Sequence, residues 1–325
     1  MEPYFADQCR ALAEKIHALR EPGNLCFALL AGTALSDFAD HTDENIRAVD
    51  AQAQLDGVIH LGDILNGSIP ENATRFVLSR ELARFRSCTD SGKLYLLCGD
   101  DDGYRNERYV GQIVTGIVTD AHWYRQTAYL EQYPDLHRPQ DKPYYYVDFS
   151  ERRVRLIFLS SYISQIDEQE EIFEKSCQYG VEQLAWLKKE ALDLPAGWTV
   201  LVFSHALPKS RFETGVDPWN YMEYSSEPAM MLLRQAQKRG ILLGGWFAGQ
   251  YACDHEAVFC RIPYVLIDSV CPQPVKSAFP DVRKCTERRL GTATEDLWDA
   301  LLLKSEQRRV HLLRFGAGED RVFGY

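Results

Sequence analysis

Acidic and histidine side chains follow several apolar runs in this sequence, at the points where those runs end. Asp63 and Asn66 lie in LGDILNG, three consecutive aspartates, Asp100–Asp102, lie in CGDDDG, and His205 follows WTVLVF in the segment FSHALP. Carboxylates held at close range raise one another's pKa or recruit a cation. Oxygen ligands are those that Ca²⁺ and Mg²⁺ prefer. The pattern therefore indicates a candidate cation site.

Each of these side chains also has an ordinary structural interpretation. Asp63 and Asn66 are residue types that shape strand-to-helix turns. An aspartate run is commonly a solvated loop, and a solitary histidine such as His205 is commonly a hydrogen-bonded core residue. Cys253 and His255 could add sulfur and nitrogen donors, but they fit ordinary positions at the start of a strand. The residues alone leave these alternatives open.

The apolar runs predict the strands that would position these residues. They alternate with helical patterns, which is typical of a largely parallel sheet with helices on its faces. We predict helices over Pro3–Arg20, Asp43–Gln54, Ala73–Cys88, Glu168–Leu192 and Glu227–Arg239. The last third has strand runs with few helices between them, which indicates a second, more antiparallel sheet packed behind the first.

Composition indicates a globular chain and argues against some classes of partner. The 325 residues are 46% apolar and 26% charged, and we predict one domain over residues 1–325 with a loop or cap insertion near 104–146. A net charge of −11 argues against binding along a nucleic-acid backbone. The apolar segment Leu25–Leu35 is too short to span a bilayer. The nine cysteines form no C-x-x-C pair, so we predict buried free thiols in a cytoplasmic protein.

The order of the strand ends resembles that of the calcineurin-like metallophosphoesterase family. That family carries D-x-H, G-D-x-x-[DN], G-N-H-[DE], a lone His and G-H-x-H, each after an apolar strand. The corresponding segments here read AGTALSD, LGDILNG, CGDDDG, FSHALP and FAGQYACD. Five sites in the right order are far more specific than any single G-D turn. The resemblance implies an α/β, four-layer sandwich of two mixed β-sheets flanked by helices.

The resemblance also implies which side chains would hold two metal ions, and the first metal has lost most of its ligands. Gly32 and Ala34 stand where the family's first Asp and His would be, and neither side chain can donate an electron pair. Asp63 matches the carboxylate that bridges both metals. Asn66 matches the usual variant at the end of its motif.

The remaining motifs are kept in part. Asp100 replaces the family's asparagine ligand, Asp101 replaces its catalytic histidine, and Asp102 keeps the carboxylate position that follows. His205 matches the lone histidine ligand. The final motif reads GQYA, so that Gln250 stands in place of its first histidine and an alanine in place of its second.

We interpret the chain as a catalytically inactive pseudoenzyme with a binding or regulatory use of its cleft, because five substitutions leave no two-metal mechanism to run. The resemblance implies no cofactor or one weakly bound divalent cation (Mn, Mg, Ca or Zn), with metal ligands Asp63, Asp100, His205 and Gln250. The alternative is a weakly active one-metal phosphoesterase for a phosphomonoester or phosphodiester, in which Asp101 carries the proton. A third reading is a small phosphorylated ligand that binds without being cleaved, and an unknown protein is the other candidate partner.

Overall fold

The computed structural model describes residues 2–67, 69, 71–99, 101–102, 120–167, 172–177, 179–207, 226–250, 252–272 and 287–325. The α-helices are α1 (Pro3–Leu19), α2 (Thr42–Ala53), α3 (Glu71–Arg86), α4 (Asp120–Gln126), α5 (Val181–Trp186) and α6 (Ser226–Lys238). The strands are β1 (Leu25–Leu30), β2 (Gly57–His60), β3 (Leu94–Leu96), β4 (Leu136–His137), β5 (Tyr145–Phe149), β6 (Val154–Leu159), β7 (Tyr162–Asp167), β8 (Ile172–Cys177), β9 (Thr199–Ser204), β10 (Leu242–Ala248), β11 (His255–Phe259), β12 (Ile262–Leu266), β13 (Leu297–Lys304), β14 (Arg309–Gly316) and β15 (Arg321–Gly324).

The strands form two mixed sheets and a separate hairpin. The first sheet has the order β15-β14-β13-β1-β2-β3, and the second has the order β11-β12-β10-β9-β6-β5-β4. In each sheet a parallel block (β1 to β3; β6, β9, β10 and β12) carries antiparallel strands at its side. The predicted α/β sandwich of two mixed sheets flanked by helices is confirmed.

The core between the sheets is built from apolar runs that are buried on both faces. Strands β1 and β13 are buried at every position, as expected for strands that pack on two sides. Four aromatic rings stack across the second sheet, from Tyr145 through Phe158 and Phe203 to Phe247, with centroids 4.6, 5.1 and 5.4 Å apart. This ladder faces the first sheet, where Tyr95 stacks on Phe158 at 5.7 Å.

Four of the five predicted helices are present with ends shifted by at most two residues, and α1 buries the expected face at Phe5, Cys9, Leu12 and Ile16. The prediction of a helix over Glu168–Leu192 is wrong for Ile172–Cys177, which pairs with β7 as an antiparallel hairpin. The helix there begins at Val181. The glutamate-rich sequence favours a helix locally, but tertiary pairing overrides that propensity.

The prediction that the last third forms a sheet of its own is also wrong. Strands β13, β14 and β15 extend the first sheet, with β13 antiparallel to β1, whereas β10, β11 and β12 belong to the second sheet. A strand pattern shows which face is apolar but not which neighbour supplies the hydrogen bonds. The chain therefore crosses from the second sheet back to the first between β12 and β13.

The described part of the segment near 104–146 covers the free edge of β3 in the first sheet. The hydroxyl of Tyr133 accepts a hydrogen bond from the Leu94 amide at 3.0 Å, and Tyr129 donates to the Leu94 carbonyl at 3.1 Å. Tyr145 donates to the Leu96 carbonyl at 3.1 Å. These hydroxyls take the place of a further strand at an edge that would otherwise be open to pairing. A cap role for residues 104–119 stays a prediction, because they lie outside the described residues.

The cysteine side chains that the structure describes are free thiols, as predicted. Cys9, Cys26, Cys88 and Cys253 are buried, and burial raises the pKa of each to about 12. Cys98, Cys260 and Cys271 are half-buried rather than buried.

Among the helices that the structure describes, none combines the length and the apolar character that a membrane span requires.

Candidate functional site

The motif loops meet where the parallel strands of both sheets end. The amide of Gly32 donates to the Gly62 carbonyl at 2.9 Å, which joins the loops after β1 and β2. The amides of Gly249 and Gln250 both donate to the His205 carbonyl at 3.0 Å, which joins the loops after β9 and β10. Carboxyl ends of parallel strands form a common edge at which ligands bind in many α/β proteins.

Asp63 and His205 face each other at the centre of this edge. Oδ2 of Asp63 lies 3.4 Å from Nε2 of His205, and both residues are buried. Nδ1 of His205 lies 2.7 Å from the Leu61 carbonyl, which can only accept, so the ring donates there and directs Nε2 towards Asp63. A backbone carbonyl on one ring nitrogen is the arrangement that leaves the other nitrogen of a histidine for a metal or an acid.

Two glycines leave room for this pair of side chains. A Cβ on Gly62 would lie 2.6 Å from Nδ1 of His205, and one on Gly99 would overlap Oδ1 of Asp63. Gly62 also has φ +102°, which disfavours any other residue there. The glycines in LGD and CGD therefore serve close packing as well as turning the chain.

Asp102 organises the loops around Asp63. Its carboxylate accepts hydrogen bonds from the amides of Asp63 at 2.8 Å, Leu65 at 2.9 Å and Gly99 at 2.8 Å. The side chain is fully buried, and burial together with the charge of Asp63 raises the pKa of Asp102 to about 6. Both of its oxygens are thus engaged by backbone donors.

His60, on β2, is a site residue that the sequence analysis missed. Its Nδ1 accepts the Gly62 amide at 3.2 Å, so Nε2 carries the proton and donates to Oγ1 of Thr33 at 3.2 Å. Burial, and then the charge of His205, lowers the pKa of His60 to about 3, so the ring stays neutral. It links the loop after β1 to the loop that carries Asp63. A histidine directly before the L-G-D turn is the only sequence signal for it.

The loop after β1 is closed by a residue from far along the chain. Oγ of Ser269 donates to the Gly32 carbonyl at 2.8 Å, and a Cβ on Gly32 would overlap that hydroxyl oxygen. Gly32 has φ +57° and Ala34 has φ 48°, so this loop turns in the left-handed region. A carboxylate at residue 32 in this backbone would have to displace Ser269.

The other candidate residues lie in different settings. Asp101 donates its amide to Oδ1 of Asp63 at 2.9 Å, and Gln250 is half-buried beside His205. Asn66 is exposed. Asp100 lies outside the described residues.

Of the two residues beyond the final motif, Cys253 lies just before β11 and His255 begins it. Cys253 is buried, and His255 opens β11, paired with Leu266. Within the part of the chain that the structure describes, no three His, Cys, Asp or Glu side chains are arranged to hold a metal ion. The described donors that face each other, Asp63 and His205, are fewer than a two-metal centre requires.

The fold was compared with solved structures. A dimetal phosphatase from Danio rerio aligns with a TM-score of 0.58 at 16% identity, covering 93% of this chain and 99% of that one. The chain has a metallophosphoesterase-like fold. The anchor in the inner membrane complex of Plasmodium aligns at 11% identity, with a TM-score of 0.47 and coverage of 86% and 84% of the two chains. A putative 5′-nucleotidase from Staphylococcus aureus aligns at 11% identity, with a TM-score of 0.44 and coverage of 93% and 54%.

Sequence comparison adds no closer relative to this metallophosphoesterase-like fold. No protein-family model matches the chain, and no curated protein sequence matches it. An identity of 16% supports the fold and no statement about activity, since one fold hosts many functions.

Proposed function

We propose that this chain is a metallophosphoesterase-fold protein that does not catalyse two-metal hydrolysis and uses its cleft for binding or regulation. The observation that carries the proposal is the contact between Ser269 and Gly32. The hydroxyl of Ser269 fills the space in which a side chain at residue 32 would begin, so packing excludes the side chain that would supply a ligand to the first metal. Two-metal catalysis needs both ions a few Å apart as a clamp on the phosphate.

The remaining donors support a weaker use of the same cleft. Asp63 and His205 are the described members of the proposed ligand set that face each other. Two protein ligands hold a divalent cation weakly compared with the three or four of catalytic and structural sites. We therefore propose no cofactor, or one weakly bound divalent cation, at this pair, with Asp100 and Gln250 as further ligands. A small phosphorylated ligand would require that cation, because the described carboxylates around it are negative.

The geometry of His205 favours one alternative function. Because Nδ1 is held by the Leu61 carbonyl, Nε2 is directed at Oδ2 of Asp63, as a histidine ligand beside a carboxylate would be. A one-metal phosphoesterase would use this pair for the cation and Asp101 as the proton carrier. It would have to work without the electrostatic clamp that a second ion supplies.

The test is hydrolysis of an aryl phosphomonoester and an aryl phosphodiester with Mn²⁺, Zn²⁺, Mg²⁺ or Ca²⁺. We expect no turnover above that of Asp63→Asn and His205→Ala variants. The control variant is Asp7→Asn, since Asp7 is exposed on α1 and far from the site in sequence. Metal-dependent turnover that Asp63→Asn and His205→Ala abolish and Asp7→Asn leaves intact would establish the one-metal enzyme instead.

The metal content of the purified protein tests how many divalent cations the cleft binds. We expect at most one divalent cation per chain by elemental analysis, with a melting shift that Asp63→Asn removes, since binding to the native state alone raises its apparent stability. Two transition metals per chain would contradict the proposal, because they would require donors that the ligand assignment lacks.

A further inference from the structure

A buried charge network lies behind the cleft, where β14 and β15 meet the loop before β11. Arg314 contacts Asp254 at 2.7 Å and Asp299 at 2.8 Å. Arg321 contacts the same two carboxylates at 2.8 and 3.3 Å. Two guanidinium groups are thus shared between two carboxylates, and the network is balanced without any further acid.

Asp268 is a third buried carboxyl group at the edge of this network. It is 4% exposed, and its amide donates to Oδ1 of Asp254 at 3.3 Å. Its Oδ1 accepts the Ser269 amide at 2.7 Å, whereas Oδ2 has no hydrogen-bond partner among the described residues. A buried carboxylate with an unpaired oxygen is costly when it is charged and much less so when it carries a proton.

The groups around Asp268 come from three parts of the chain. Asp254 and Cys253 lie before β11, Arg314 lies on β14, and Arg288 lies before β13. Burial, and then the charge of Asp254, raises the pKa of Asp268 to about 7, although Arg314 and Arg288 act in the opposite direction. The carboxyl group therefore changes its charge near neutral pH.

Asp268 begins the segment that closes the Gly32 side of the cleft. The next residue, Ser269, donates to the Gly32 carbonyl, and the amides of Val270 and Cys271 donate to the Ala31 and Gly32 carbonyls at 2.9 Å each. A clamp on the other side comes from Arg288, which donates to the Ser269 carbonyl at 3.1 Å and the Val270 carbonyl at 2.6 Å. The closing segment, residues 268–271, is thus held by a few hydrogen bonds beside a buried acid that has a described hydrogen-bond partner for only one of its two carboxyl oxygens.

We propose that Asp268 is a pH-dependent conformational switch. The protonated carboxyl group keeps segment 268–271 docked on Gly32, and ionisation of that group releases the segment and opens that side of the cleft. Once charged, the carboxylate gains stability by reaching water or a guanidinium group, and either movement strains the contacts of Ser269. The proposal adds regulation by pH to the cleft of the proposed function. The switch rests on the proposed function only in so far as opening the cleft would regulate binding there.

Hydrogen exchange of individual backbone amides tests the pH-dependent switch without any ligand. A negative result would therefore contradict the switch and leave the proposed function untouched. The probes are the Val270 and Cys271 amides, and the reference is the Leu61 amide, which donates to the Leu30 carbonyl at 2.8 Å within the first sheet. After correction for intrinsic exchange, we expect the protection of both probes relative to Leu61 to fall about tenfold between pH 6 and pH 8, which is the change that one carboxyl group with a pKa of about 7 supplies. Equal relative protection at the two pH values would overturn the proposal.

A variant assigns the effect to Asp268 itself. Asp268→Asn removes the titration while keeping the shape of the side chain, so we expect the relative protection of Val270 and Cys271 to become independent of pH. Asp7→Asn is the matched control and should behave as the wild type does. A tenfold fall that persists in Asp268→Asn would also overturn the proposal. If Asp268→Asn does not fold, the wild-type comparison still decides the outcome.

Discussion

The hydroxyl of Ser269 donates to the carbonyl of Gly32 across 237 positions of sequence and occupies the space in which a side chain at residue 32 would begin. Packing as well as the lack of a donor atom therefore keeps a ligand side chain from residue 32. A carboxylate introduced at residue 32 would fit only if Ser269 moved.

The contact predicts a coupling between the two residues. Gly32→Ala alone should lower the free energy of unfolding by about 1–3 kcal/mol, because the new methyl group overlaps Ser269 and the backbone has positive φ. In a Ser269→Gly background the same change should cost less, by about 1 kcal/mol or more. Chemical denaturation of the four proteins in the cycle measures this coupling. Additive costs would show that Ser269 does not fill the position.

The tyrosine hydroxyls that bond to β3 should stabilise the edge of the first sheet. Tyr129→Phe removes the donor to the Leu94 carbonyl and leaves a buried acceptor without it, so we expect a loss of about 1–2 kcal/mol of unfolding free energy. Tyr4→Phe, at a half-buried tyrosine on α1, is the control and should change stability by about 0.5 kcal/mol or less. Light scattering should also show more self-association of Tyr129→Phe, because the Leu94 carbonyl at this edge is left free to pair with another chain. An unchanged stability would contradict this account of residues 120–146.

The raised pKa of Asp268 predicts how stability depends on pH. Between about pH 4 and 7 the native state holds a proton that the unfolded chain has released, so unfolding free energy falls as pH rises through this window and then levels off. Asp268→Asn carries no titrating group at this position, so its unfolding free energy does not fall for this reason. It should gain stability relative to the wild type with rising pH, by an amount on the order of a few kcal/mol.

His60 contributes the opposite dependence, which is why the difference between two proteins is the quantity to measure. Its pKa of about 3 in the native state lies below the ordinary value of 6.5, so its contribution is present above pH 6.5 and is lost as pH falls towards 3. Denaturation curves of wild type and Asp268→Asn at pH 5 and pH 8 cancel the His60 contribution. A difference that is the same at both pH values would refute the assignment.

The hairpin between β11 and β12 predicts a stabilising change. Phe259 pairs with Ile262, so Cys260 and Arg261 form a two-residue turn, with φ of 53° and 63°. Such a turn favours Asn-Gly, since both central residues have positive φ. Cys260→Asn with Arg261→Gly should raise the melting temperature, corresponding to about 1 kcal/mol of added stability. Cys260→Asn alone should give a smaller gain, and a loss in the double variant would contradict the turn assignment.

Much of the fold followed from local pattern. Apolar runs marked the strands that end at the site, and the spacing of Phe5, Cys9, Leu12 and Ile16 marked the buried face of α1, because burial on one or two faces leaves a periodic trace. The position of Asp63 and His205 at strand ends was readable in the same way. The hairpin at Ile172–Cys177 was not, since its strands are specified by pairing with each other rather than by propensity.

By itself the sequence determined the apolar strands, their order and the absence of donor side chains at Gly32 and Ala34, since these depend on residue type and neighbouring spacing. Tertiary structure decided which sheet the closing strands join and that Ser269 fills the space at Gly32. It also decided that Asp268 is buried beside a charge network that is already balanced without it. Those outcomes depend on hydrogen bonds and burial between residues far apart in the chain. No local pattern records such contacts, because the energy of a buried polar group is set by the partner that reaches it.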